Sequence, residues 1–455
     1  MLYEHWSRVA AERRNEIALR DSATGRRWTF GELRAAGEAC PVGDAPLVFP
    51  QGHTPEFLFA LLAAWRTGKI VCPLEPGQPV PAVLSAPASC VHLKTTSGTT
   101  GVARFVAFTP EQLAADAENI VATMGLRADW PNLGVISMAH SYGFSNLVLP
   151  LLLHGIPLIL VPTPLPELVR RAAENETAIT LAAVPAVWRA WHEVRAISPN
   201  VRLAISAGAP LPVRLEESVF KAIGLKIHNF YGASECGGIA YDDTDAPRTG
   251  ESCVGALMKN VSLSVAEDGC LEVRSRAVAE TYWPQPDANL ADGCFHTSDL
   301  AEIVSTDRGR SPSAAGGGGV SAEEYSTPDD ISRAASRDDS RSFIQVLLRG
   351  RAGDQINVAG RKVSPGTIER ALSKHPLVVE CLVFGVPSRD AERTEEIVAV
   401  VVSREREPVL RQFVLESLPA WQVPRHWWFV ETVQTNPTGK VSRAKWRERW
   451  LARRK

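Results

Sequence analysis

Short apolar runs alternate with helical patterns through the first two-thirds of this chain, and no other feature narrows its fold as much. Leu133-Gly134-Val135-Ile136-Ser137-Met138 and Val201-Arg202-Leu203-Ala204-Ile205-Ser206 read as buried strands. Between them, Pro166 to Glu174 and Pro185 to Val194 carry their apolar residues at helical spacing. Strand and helix in alternation predict an α/β fold. From about Gly250 the pattern shortens to alternating stretches such as Cys270-Leu271-Glu272-Val273-Arg274-Ser275, which predicts a β-rich subdomain. At 455 residues the chain exceeds what one compact core holds, so two or three domains are expected.

The segment Ser305 to Ser342 is rich in Ser, Gly, Asp and Arg and reads as a disordered insertion in a loop, because it holds too little apolar surface to order itself. Its run Gly316 to Gly319 is a linker rather than a phosphate cradle, which needs a preceding strand and a following helix N-terminus. Regular structure resumes at Val346-Leu347-Leu348. A last unit of roughly 100 residues, an ordinary domain size, mixes helix (Pro365 to Lys374) with strand (Ile397 to Val402) as a small α+β domain. The expected division is 1–350 and 351–455.

A net charge of −2 gives no reason to expect a nucleic-acid partner. Eight cysteines stand singly, with no CxxC pair and no metal-like cluster with histidine, which fits a reducing compartment. The start Met1-Leu2-Tyr3-Glu4-His5 opens no basic region followed by an apolar core. No apolar run reaches the ~18 residues of a membrane span. A cytoplasmic protein without a membrane span is expected.

Thr95-Thr96-Ser97-Gly98-Thr99-Thr100-Gly101 alternates hydroxyls and glycines, so that backbone N–H and side-chain O–H groups can converge on phosphate oxygens. No Gly-Lys-Ser/Thr follows, which disfavours a P-loop NTPase. Six further motifs follow it in order: His140-Ser141-Tyr142-Gly143-Phe144, Ser206-Ala207-Gly208-Ala209-Pro210-Leu211, Tyr231-Gly232-Ala233-Ser234-Glu235, His296-Thr297-Ser298-Asp299-Leu300, Gly350-Arg351 through Glu369, and Asn436-Pro437-Thr438-Gly439-Lys440. In this order they resemble the adenylate-forming superfamily of acyl-CoA synthetases, aryl-CoA ligases, luciferases and peptide-synthetase adenylation domains, over nearly the whole chain.

The resemblance implies a large N-terminal domain of α/β subdomains plus a β-rich subdomain, and a small mobile α+β C-terminal domain. It implies ATP-dependent activation of a carboxylic acid to an acyl-AMP with pyrophosphate release, then acyl transfer to the thiol of coenzyme A, or to the phosphopantetheine of an acyl carrier protein. Thr96, Ser97, Gly98, Thr99, Thr100 and Gly101 would then hold phosphate, with Arg104 in the usual lysine position. Glu235 is suited to a magnesium ion. Tyr231 offers a flat face to adenine, with Ser206, Gly208 and Ala209 approaching its other side and Gly232, Ala233 and Ser234 completing the motif. Asp299 and Arg351 are assigned to the ribose. Lys440, joined by Glu235 and His140 as catalytic candidates, would reach both the substrate carboxylate and the α-phosphate in the transition state.

Four departures stand out. Ser298 and Gly353 replace a usual glycine and a usual charged hinge residue, Arg104 replaces a lysine, and the run between Gly31 and Pro55 is short. Gly353 lies in Arg351-Ala352-Gly353-Asp354, about which the C-terminal domain of the family rotates so that lysine and thiol use the site in turn. The pocket lining implied by the resemblance, His140, Tyr142, Phe144, Val184, Gly208, Gly232, Gly237 and Ile239, is mostly apolar or small and suits a fatty or aryl acid. It has no acid to pair an α-ammonium, so an amino-acid substrate is disfavoured. A non-catalytic nucleotide-binding relative is the rival reading. Near the end, Trp446 and Trp450 share one helical face among seven basic residues, a stripe able to dock on the C-terminal domain.

Overall fold

The structure, a computed structural model, describes residues 1–83, 85–95, 104–307, 342–358, 361–388, 394–434 and 441–454. The chain divides into two compact units. One comprises Met1–Ser264, Glu272–Thr297 and Ile303–Val346, the other Val265–Leu271, Ser298–Glu302 and Leu347–Lys455.

In the first unit the elements that matter for the site are β1 (Ile17–Asp21), β2 (His92–Thr95), β3 (Phe105–Phe108), α1 (Pro110–Met124), β4 (Asn132–Gly134), β5 (Leu158–Leu160), β6 (Ile179–Ala183), α2 (Pro185–Glu193), β7 (Val201–Ser206), α3 (Val213–Ile223), β8 (Ile227–Ala233), β9 (Gly237–Tyr241) and β10 (Thr281–Trp283). Six strands lie in the order β8-β7-β6-β4-β5-β1 with every neighbouring pair parallel. The middle strands β5, β6 and β7 are mostly buried Val, Ile, Leu and Ala, as strands covered on both faces are. Their core takes in Leu133, Leu181, Ala204 and Ile227, with Trp188 and Trp191 of α2 packed edge to face at 5.2 Å. β9 runs antiparallel to β8. A second sheet sets β10, β3 and β2 side by side, antiparallel.

Local chemistry fixes the element ends. Thr109 and Gln112 form a reciprocal capping box ahead of α1, with Pro110 in its first turn. Gly125 closes the helix in the left-handed region at φ 65°. α2 likewise opens on a proline, and it ends one residue before the predicted Val194. The run Leu133–Met138 is only partly strand. β4 stops at Gly134, and Ser137 turns the chain out of the sheet by accepting the amide of Ala139 on its hydroxyl and that of His140 on its carbonyl.

After Gly250 come Cys253–Leu257, Val261–Val265, Cys270–Ser275, Cys294–Asp307 and Ser342–Arg351, all strands. The expected insertion 305–342 is therefore too wide at both ends, since 305–307 and 342 belong to strands. Residues 308–341, with Gly316 to Gly319, lie outside the described residues.

In the second unit α4 (Pro365–Ser373), β11 (Val378–Pro387), β12 (Glu395–Ser403), β13 (His426–Phe429) and the helix Glu407–Leu415 enclose Ile368, Val383, Ala399 and Leu410, while α5 (Arg443–Arg453) packs in a separate cluster with Leu382, Phe384 and Val400. β11 and β12 are antiparallel, β12 and β13 parallel. Trp446 of α5 is 5% exposed and meets Trp428 edge to face at 5.1 Å, with Trp450 at 5.7 Å, so the aromatic stripe docks inside this unit. Arg443 fixes the start of α5, donating to Asp354 at 2.9 Å and to both oxygens of Glu369 at 2.8 and 2.7 Å.

Candidate active site

Three of the motifs meet at the carboxyl ends of the parallel strands in the first unit, where open α/β sheets bind ligands. Ser206 is the buried last residue of β7, and Gly208 follows at φ +85°, with Val184 Cγ1 3.4 Å from the place of a Cβ. Tyr231, Gly232 and Ala233 end β8, with Ser234 and Glu235 in the turn to β9. Gly232 must be glycine, because a Cβ there would lie 2.5 Å from the Gly237 carbonyl oxygen. His140 caps a short helical turn, its Nδ1 accepting the Tyr142 amide at 3.2 Å. Ser141 Oγ donates to Ser234 Oγ at 2.9 Å and joins two motifs that lie 93 residues apart.

Glu235 is held by a chain of contacts. The Tyr282 hydroxyl of β10 donates to its Oε1 at 3.0 Å. Burial, and then the Glu235 charge, push the Tyr282 pKa well up, so the phenol keeps its proton and remains a donor. The Arg104 guanidinium lies 3.5 Å from the centre of the Tyr282 ring and donates to Asp287 at 2.6 Å. The Asn289 amide and Arg104 together hold the Asp287 carboxyl below its ordinary range. A half-exposed carboxylate oriented in this way is a hard oxygen donor that fits magnesium.

Behind the hairpin lies a second polar group. Asp116 of α1 accepts the Ser145 hydroxyl at 2.6 Å and the Gly238 amide at 3.4 Å. Lys94 and His92 of β2 are also buried, and the Asp116 charge acts on Lys94. Of the lining expected from sequence, Tyr142, Phe144 and Ile239 are buried, but Gly237 backs onto the Asp116 carboxylate, so the surroundings of the lining are more polar than expected. The apolar face of α1 carries this acid between Ala115 and Ala117.

In the second unit Arg351 Nε donates to Asp299 Oδ1 at 3.0 Å, bringing those two candidates together. Thr96, Ser97, Gly98, Thr99, Thr100, Gly101 and Lys440 lie outside the described residues. Tyr282, Asp287, Asp116 and Lys94 escaped the sequence reading.

Two family profiles match this chain, "AMP-binding enzyme" over residues 78–283 and "AMP-binding enzyme C-terminal domain" over residues 367–440. The chain is 24% identical over 393 residues, 82% of its length and 70% of the relative's, to a long-chain-fatty-acid–CoA ligase of Mycobacterium tuberculosis. It is 26% identical over 372 residues, 77% of its length and 82% of the relative's, to a probable 2-succinylbenzoate–CoA ligase of the same organism. The crystal structure of ATP-bound MatB from Rhodopseudomonas palustris shares the fold at a TM-score of 0.79, 19% identity and 100% coverage of both chains. With both profiles in chain order and three of the motifs gathered at one sheet edge, this chain belongs to the AMP-binding family of adenylate-forming enzymes.

Proposed function

We propose that this AMP-forming acid–thiol ligase joins a fatty or aryl carboxylic acid to the α-phosphate of ATP, releases pyrophosphate, and passes the acyl group to the thiol of coenzyme A. The observation that carries the reading is the meeting of the 140–145, 206–210 and 231–235 segments at one carboxyl edge, tied by the Ser141–Ser234 hydrogen bond. The relatives named as CoA ligases support the acceptor. A carboxylate oxygen attacks the α-phosphorus as the bond to pyrophosphate breaks. The thiolate sulfur then attacks the acyl carbon and AMP leaves with the bridging oxygen.

The first step brings an anion onto an anion, so charge neutralisation and in-line positioning must supply most of the barrier reduction. Glu235 would hold a magnesium ion, whose charge neutralises phosphate oxygens. Tyr282 orients the Glu235 carboxylate, and Arg104 supplies nearby positive charge. Tyr231 and the 206–209 backbone are assigned to adenine, Asp299 and Arg351 to the ribose, Thr96 to Gly101 to the phosphates, and His140 to the acid. Lys440 is the transition-state cation, carried by a mobile 351–455 domain that turns at Gly353. All eight cysteines are free thiols, which supports a reducing cytoplasm, and fatty-acid metabolism is the matching setting. Among the described residues no helix is long and apolar enough to cross a membrane.

A panel of fatty and aryl acids, assayed for pyrophosphate release with and without coenzyme A, tests the reading. Acid-dependent release that rises with coenzyme A and yields a thioester is expected. Thioester formation only on a carrier protein's phosphopantetheine would replace the acceptor. Folded protein inert to every acid would point to the non-catalytic relative.

A further inference from the structure

Among the departures in this sequence, the arginine at 104 is the one to which the fold gives a task beyond the motifs; that task rests on the ligase reading above. Trp283 of β10 stands opposite Phe105 of β3, and Tyr282 opposite Val106. Strand alternation puts Arg104, two residues before Val106, on the face that carries Tyr282. From that diagonal position a long side chain reaches a ring on the neighbouring strand. The Arg104 guanidinium lies 3.5 Å from the Tyr282 ring centre, and its Nη2 donates to Asp287 Oδ2 at 2.6 Å. Asp287 is fixed in turn, since its Oδ1 accepts the Asn289 amide at 2.9 Å and its carbonyl the Leu290 amide at 3.0 Å. The Tyr282 hydroxyl completes the line by donating to Glu235 Oε1 at 3.0 Å.

An ion pair whose two side chains are 39% and 33% exposed contributes little to stability. Its consequence is positional. A guanidinium is planar, so it lays its face on an aromatic ring while its edge donates to a carboxylate, whereas an ammonium is a point charge that meets one or the other. Asp287 therefore decides where the guanidinium stands, the guanidinium limits how the Tyr282 ring tilts, and the ring aims the hydroxyl that holds Glu235. With lysine at 104 the line breaks between Asp287 and the ring.

We infer that Asp287 is a positioning residue for the metal-holding carboxylate of Glu235, acting through Arg104 and Tyr282, and that this line requires arginine rather than lysine at 104. Asp287 need not touch the ion in this role.

The test is a double-mutant cycle. Mn²⁺ stands in for magnesium on oxygen ligands, and its binding is measured by electron paramagnetic resonance on the whole chain with a non-hydrolysable ATP analogue and no acid. The proteins are wild type, Asp287→Ala, Arg104→Lys, Tyr282→Phe and the double variant Asp287→Ala/Tyr282→Phe, and ATP–pyrophosphate exchange is followed on the same set. Asp287→Ala and Arg104→Lys should each weaken Mn²⁺ binding about threefold, and Asp287→Ala should have no further effect in the Tyr282→Phe background. A merely loosened 284–289 segment would weaken binding equally in both backgrounds, which overturns the inference. Binding unchanged in Asp287→Ala or in Arg104→Lys overturns it too, as does wild-type protein that takes up no Mn²⁺; exchange that persists in wild type then leaves the ligase reading intact. No exchange with any acid, but the cycle coupled as expected, upholds the positioning role and overturns the ligase reading.

Discussion

Tyr282 shows how a side chain that belongs to no motif holds a motif residue in place. Its hydroxyl orients Glu235 and its ring carries Arg104, so Tyr282→Phe removes a hydrogen bond to a charged group while keeping the ring. Such bonds contribute about 1.5–3 kcal/mol. Glu235 is half exposed, so the lower end applies, and about 1.4 kcal/mol corresponds to tenfold. Tyr282→Phe should raise the magnesium concentration for half-maximal exchange about tenfold, read from a magnesium titration at saturating ATP and acid. An unshifted titration would remove Tyr282 from the metal side of the site. Glu235, Tyr231 and Arg104 were legible because their neighbours in sequence name them. Tyr282 and Asp116 were not, because each acquires its part across 47 and 122 residues of chain, through contacts that only the fold creates.

Between elements, a buried ion network binds α3 to β8 and to the end of β9. Glu216 is 0% exposed and accepts from Lys226, and from Arg248 Nε at 2.9 Å; Lys226 also meets Asp242 at 2.6 Å. Arg248 spends its remaining donors on the carbonyls of Cys253 and Leu211, both at 2.7 Å. Glu216→Gln leaves two cations short of a counter-charge in the interior and should cost about 3 kcal/mol. At about 2–4 °C per kcal/mol this is a drop of roughly 6–12 °C in the melting temperature of the first unit. A calorimetric scan unchanged within a degree or so would mean the network is hydrated in solution. The elements themselves were largely legible, since proline openings and a glycine stop such as Gly125 are local signals. Leu133–Met138 was overread because an apolar run does not say where the sheet ends; Ser137 and its turn decide that.

For the molecule as a whole, His5, His53, His92, His154 and His228 all have pKa values lowered chiefly by burial. Each stays neutral in the fold at a pH where the unfolded chain takes up a proton. The unfolded state thus binds more protons below about pH 6.5, and stability is full above that pH and falls as pH drops through it. Each extra proton should contribute about 1.4 kcal/mol per pH unit, so urea midpoints should decline steeply between pH 6.5 and 5.5. A flat midpoint across that window would mean the histidines titrate as exposed groups. The architecture follows from strand–helix alternation, whereas the buried contacts that join β2, α1 and residues 144–145 arise only from the fold. Adenylate formation is tested most directly with an acid labelled with ¹⁸O in the carboxylate, turned over with ATP and coenzyme A. One ¹⁸O is expected in AMP and none in pyrophosphate, because the attacking carboxylate oxygen leaves with the nucleotide. Label in orthophosphate with ADP as the nucleotide product would contradict it.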